Sequence, residues 1–135
     1  MRNLDEVCLI DDDKITIMLT KKRVNMANFC NNITSYENGK KAYDNFADRI
    51  NNNIALPDLI LLDINMPIWD GWDFLDEFSK INNNPRLCLF MITSSIDPKD
   101  KEKALQYPIV KDFLVKPIDE NTLLIALDKF DLKNT

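Results

Sequence analysis

Leu9-Ile10-Asp11-Asp12-Asp13 and, about fifty residues later, Leu61-Leu62-Asp63-Ile64-Asn65-Met66-Pro67 decide the reading of this chain. Each is an apolar stretch that runs into carboxylates. If both stretches are buried strands of one sheet, several negative charges gather at one sheet edge. Such a gathering repels itself unless a cation sits there.

Short β-like apolar runs recur at Val7 to Ile10, Ile33 to Tyr36, Asp58 to Leu62, Leu87 to Ile92 and Val110 to Val115. Between them the apolar spacing becomes helical. Ile15, Met18, Leu19 and Met26 define one face, Tyr43, Phe46, Ala47 and Ile50 a second, Trp72, Leu75, Phe78 and Ile81 a third, and Leu123, Leu127 and Phe130 the last. Asn38, Asp70, Asp97 and Asp119 stand where helix N-caps belong, and Pro98 suits a first helical position. The segment from Pro98 to Tyr107 has only Ala104 and Leu105 for most of its apolar face, which predicts the least firmly packed helix. Asparagine triplets at 51–53 and 82–84 read as exposed loops. Strict alternation of strand and helix predicts an α/β fold, a doubly wound five-stranded parallel sheet with helices on both faces. The near-continuous apolar strands fit burial on both sides.

A length of 135 residues fits one domain spanning 1–135, too short for an additional effector domain. With 22 acidic and 17 basic residues and a net charge of -5, no broad basic field favours direct nucleic-acid binding. Cys8, Cys30 and Cys88 lack metal-site spacing and read as reduced core residues. The chain begins Met1-Arg2-Asn3-Leu4-Asp5-Glu6, and no apolar run approaches the roughly 18 residues of a membrane span, so no membrane insertion and a cytoplasmic location are expected. The absence of histidine means that any phosphohistidine must belong to a partner.

In a parallel α/β sheet, ligands collect beyond the carboxyl ends of the strands. There the pattern delivers Asp11 and Asp12 after the first strand, Asp63 at the third, Thr93 at the fourth and Lys116 at the fifth. Singly, each has an ordinary role, the aspartates as helix caps, the threonine as a strand residue and the lysine as a surface charge. Together, carboxylates, a hydroxyl and an ammonium from four strands surround one point. Hard carboxylate oxygens suit Mg²⁺, which takes one or two protein carboxylates alongside phosphate oxygens.

The ensemble resembles the response-regulator receiver domain of the CheY-like, single-domain type, over essentially the whole chain. The resemblance is carried by the acidic run after the first strand, Leu-Leu-Asp-x-x-Met-Pro-x-x-Asp-Gly from Leu61 to Gly71, Thr93-Ser94, and Lys116-Pro117. It implies a flavodoxin-like sheet of order 2-1-3-4-5 and a phosphorelay protein that is not a turnover enzyme. Asp63 would accept a phosphoryl group from a sensor histidine kinase or histidine phosphotransfer protein. The resemblance also implies Mg²⁺ bound by Asp11, Asp12, Asp63 and the Asn65 backbone carbonyl, with Asp13 left to start a helix. The triplet itself leaves Asp12 with Asp13 open as the working pair, and proximity to the apolar strand favours Asp11 with Asp12. Lys116 would neutralise the transferring oxygens, Thr93 would bind one of them, and Phe113 would stand where the family carries an aromatic switch, here without a hydroxyl. Asn65 and Ser95 lie where the family tunes phosphate lifetime, and the Lys116-Pro117 bond would be cis. Output to a downstream protein would pass through the fourth helix, fifth strand and fifth helix. Three other readings compete: a phosphate-independent receiver-like interaction module, a flavodoxin-like electron carrier, and a phosphoaspartate phosphatase. The aspartate triplet would repel a flavin phosphate, and the length leaves little room for a substrate cap.

Overall fold

Val7, Cys8, Leu9 and Ile10 are buried without interruption, a pattern that requires neighbours on both faces of the strand. The computed structural model, which describes residues 4–94 and 97–130, supplies them. Its elements are β1 (Leu4–Ile10), α1 (Lys14–Ala27), β2 (Cys30–Tyr36), α2 (Gly39–Asn51), β3 (Leu59–Asp63), α3 (Gly71–Ile81), β4 (Cys88–Thr93), α4 (Pro98–Ala104), β5 (Val110–Val115) and α5 (Glu120–Phe130). The strands form one parallel sheet in the order β2-β1-β3-β4-β5. The expected fold class and strand order are both present.

Alternation along the strands divides the core. Cys8, Ile10, Ile60 and Leu62 face α2 and α3, where Phe46, Phe74 and Phe78 are fully buried. Their ring centroids lie 5.1 to 6.1 Å apart, so truncating any one to alanine costs about 3–5 kcal/mol. Val7, Leu9, Leu59 and Leu61 face the other way, toward Val24 of α1 and Leu123 and Leu127 of α5. The side chain of Phe130, expected on that same face, lies outside the described residues. At the β1–β2 edge Arg49 donates to both carboxylate oxygens of Glu6, at 2.7 and 2.9 Å, and the Thr34 hydroxyl donates to Glu6 at 2.6 Å. These bonds tie α2 to both strands.

Asn38, Asp70 and Asp97 cap α2, α3 and α4 as expected, and Asp119 accepts from the Thr122 amide at the start of α5. The asparagine triplets fall at the C-terminal ends of α2 and α3. Helix α4 is shorter than the expected segment, ending at Ala104, its buried residue.

The expected inner face of α1 requires correction. Ile15, Met18 and Met26 are 64%, 62% and 63% exposed, and Leu19 is exposed as well. Thr20 and Val24 are buried instead, with Ile17 and Ala27 partly covered. The phase of the helix is set at both ends. Asp13 accepts from the Ile15 amide and the Thr16 hydroxyl, and Arg23 donates to the Ile118 carbonyl at 3.0 Å, which turns the Thr20–Val24 side inward.

Candidate functional site

The strand register fixes what meets at the carboxyl edge. Ile10 lies beside Leu62, Asp63 beside Ile92, and Thr93 beside Val115, so the residues that follow or end these strands share one rim. Asp63, the last residue of β3, is 5% exposed. Gly71 lets α3 begin directly against it. A Cβ on Gly71 would sit 2.9 Å from the Asp63 carbonyl oxygen and 3.0 Å from Ile64 Cα, a clash with backbone that no rotamer relieves. The sequence marked this position as the start of a helix and the end of the Leu61–Gly71 motif, not as a close approach of backbones.

Asp11 is also 5% exposed, and its Oδ1 accepts the Asp13 amide at 2.9 Å. From β5, the Lys116 amide donates to the Thr93 carbonyl at 2.8 Å, and the Lys116-Pro117 peptide is cis as the resemblance implied. Lys116 Nζ lies 2.8 Å from Asp11 Oδ2 and 3.4 Å from Asp63 Oδ1. Carboxylate oxygens of Asp11, Asp12 and Asp63 all fall within 4.8 Å of one another. Asp12 is exposed and opens the cluster to solvent. Asp13 stands apart as the N-cap of α1, so the geometry gathers the first two aspartates of the triplet with Asp63.

Three carboxylates facing one ammonium leave a negative excess. The Asp63 carboxyl is pushed up to about 6, first by burial and then by the charge of Asp11, against the opposing pull of Lys116. Burial works against the Lys116 ammonium, yet Asp11 and Asp63 outweigh it and its pKa is raised. A hard divalent cation would relieve this excess, and the all-oxygen donor set fits one.

Thr93 ends β4 and is 5% exposed at the same rim, while Asn65 is exposed in the loop after β3. Phe113 is buried on β5 opposite Met91, so its ring takes the inward position. Ser95 lies outside the described residues. Ile68 is 75% exposed and holds φ at 68°, a left-handed conformation that a β-branched residue rarely adopts. The next residue, Trp69, packs its ring 5.2 Å from that of Tyr43, with the Lys40 ammonium 5.5 Å from its centroid. Neither the Ile68 backbone nor the Tyr43–Trp69–Lys40 contact was among the features expected of the β3–α3 loop.

The model of the response regulator receiver domain matches residues 7–128. A solved two-component response regulator from Cytophaga hutchinsonii superposes with a TM-score of 0.86 at 30% identity, covering 96% of this chain and 98% of that one. The chemotaxis protein CheY4 of Vibrio cholerae, at 21% identity and a TM-score of 0.77 over 94% of this chain and 98% of its own, shares the fold. Among curated proteins, the transcriptional regulatory protein PrrA of Mycobacterium leprae is 28% identical over 82% of this chain and 43% of its own. The response regulator protein GraR of Staphylococcus aureus is 24% identical over 90% and 49%. The chain thus spans about half the length of these curated relatives. Among the described residues, no helix is long and apolar enough to cross a membrane.

Proposed function

The chain belongs to the response regulator receiver family, and on that premise we propose that it accepts a phosphoryl group from a partner's phosphohistidine onto Asp63 and relays the signal through a changed protein-binding surface. The observation that carries this reading is the placement of Lys116 Nζ within 3.4 Å of a buried Asp63, beside the paired Asp11. A carboxylate is a competent nucleophile for phosphoryl transfer. An Asp63 oxygen attacks phosphorus, the phosphorus–nitrogen bond breaks, and its electron pair returns to the imidazole, leaving an acyl phosphate. Lys116 neutralises the transferred oxygens, the Thr93 hydroxyl binds one of them and draws its loop inward, and the Phe113 ring packs behind that movement. Asp11, Asp12, Asp63 and the Asn65 carbonyl would hold Mg²⁺, which when bound neutralises charge on the transferring oxygens.

The exposed Ile15, Met18 and Leu19 on α1 begin two residues after the acidic triplet and suit the apolar side of a helical partner, a sensor kinase or histidine phosphotransfer protein. Output through α4, β5 and α5 is supported by the slight anchoring of α4, whose buried residue is Ala104. Incubation with Mg²⁺ and acetyl phosphate gives a hydroxylamine-labile adduct that Asp63→Asn lacks. An undiminished adduct in that variant would refute the assignment.

A further inference from the structure

Beside the acidic cluster, between α1 and the β5–α5 loop, lies a cavity of about 290 Å³ that the phosphoryl chemistry does not use. Its walls are apolar: Leu9, Leu61 and Ile92 from three adjacent strands, and Ile118 from the loop. The α1 wall is different. Thr16, Thr20 and Arg23 recur at helical spacing and all line the cavity. Thr16 is committed to Asp13. Thr20 is 7% exposed, and no hydrogen bond involves its hydroxyl among the described residues. A buried hydroxyl without a partner is costly enough that it marks a place where a partner is missing. Arg23, one turn further on, uses one N–H on the Ile118 carbonyl, out of the five that a guanidinium carries.

We infer that this cavity binds a small monocarboxylate with an apolar body, its carboxylate taking the Thr20 hydroxyl and the Arg23 guanidinium and its body lying on Leu61 and Ile92. Lys116 pairs Asp11 at the cavity's edge, and Arg23, although within electrostatic reach of Asp119, donates one of its N–H groups to the Ile118 carbonyl and keeps others for a carboxylate. The volume is near the lower end of small-molecule sites and suits a single aromatic ring or a short aliphatic chain. An occupant would rest against Lys116 and Asp11 and so touch the acidic site from behind.

The test is an NMR titration of the full chain with sodium benzoate, at matched salt and without metal or phosphodonor, with benzyl alcohol as the uncharged counterpart. Benzoate gives saturable shifts at Thr20, Leu61 and Ile118, and benzyl alcohol binds about tenfold more weakly or worse. Thr20→Val and Arg23→Gln each weaken benzoate about tenfold. Thr20→Val keeps or raises the thermal unfolding midpoint, since it removes the unpaired hydroxyl, so its lost affinity is not lost folding. Equal binding of benzyl alcohol, unchanged affinity in both variants, shifts confined to other surfaces, or no saturable binding would each overturn the inference. None of these outcomes depends on Asp63 accepting a phosphoryl group.

Discussion

The Lys116 ammonium lies closer to Asp11, at 2.8 Å, than to Asp63, at 3.4 Å. Asp11 therefore has the stronger hold on the lysine, and Asp63 is left only partly compensated in a buried position. Asp63, the proposed phosphoacceptor, is thus a residue whose ionised form the fold disfavours, which is how functional sites often depart from optimal stability.

Removing that charge stabilises the metal-free protein. The Asp63 carboxyl sits at about 6 in the folded state against an ordinary 3.8. Between those pH values the folded protein holds a proton that the unfolded chain has released, so this group's contribution to stability falls as pH rises through the window. Urea unfolding at pH 7 with chelator present finds Asp63→Asn more stable than wild type by about 1–2 kcal/mol, and the difference shrinks toward pH 4. A less stable variant at pH 7 would contradict the electrostatic account.

Ile68 carries conformational strain at an exposed position, with φ at 68°. Glycine adopts that conformation without a Cβ penalty, although it also gains freedom in the unfolded chain. Ile68→Gly raises stability by about 0.5–1 kcal/mol in denaturant unfolding. A loss of stability would mean that the Ile68 side chain makes contacts that outweigh its strain.

Helix α4 is held less by apolar burial than by a cluster beyond its C-terminal end. The Tyr107 hydroxyl donates to Asp76 of α3, the Tyr107 ring lies 6.1 Å from that of Trp72, and Lys103 lies 4.6 Å from the Trp72 centroid. Tyr107→Phe speeds amide hydrogen exchange across residues 98–107 several-fold and changes global stability by only about 0.5–1 kcal/mol. Unchanged exchange in that segment would show that the hydroxyl does not restrain α4.

The thiols divide by burial. Cys8 and Cys88 are fully buried and pushed up to about 12 by desolvation, while Cys30, on edge strand β2, is half-buried with a smaller rise of the same cause. Because the thiolate is the reactive form, native protein at pH 8 titrates one thiol with a disulfide reagent, at Cys30, and denatured protein titrates all three. Fast reaction at Cys8 or Cys88 in the native state would indicate that the sheet opens locally.

The five strands and the convergence of Asp11, Asp12, Asp63, Thr93 and Lys116 were legible in short-range signals of the sequence, namely apolar runs, caps and residues placed at strand ends, whereas the strand order followed from the resemblance to the receiver family. The inward side of α1 was not. Ile15, Met18, Leu19 and Met26 form a plausible apolar stripe, but the cap at Asp13 and the Arg23–Ile118 bond turn Thr20 and Val24 toward the sheet. That rotation is a tertiary effect. The bond from Tyr107 to Asp76 spans 31 residues and depends on how α3 and the α4–β5 turn pack. The left-handed backbone of Ile68 is likewise a feature that no local propensity of isoleucine announces.

The most direct test of the central claim uses phosphoramidate, a small donor with the same phosphorus–nitrogen bond as phosphohistidine. The protein is incubated with it and Mg²⁺, and the phosphorylated residue is located by reductive trapping and peptide mass mapping. Modification falls at Asp63, is lost in Asp63→Asn and is strongly reduced in Lys116→Met. Modification at Asp11, Asp12 or any other residue of the wild-type chain, or none under conditions in which acetyl phosphate also fails, would contradict it.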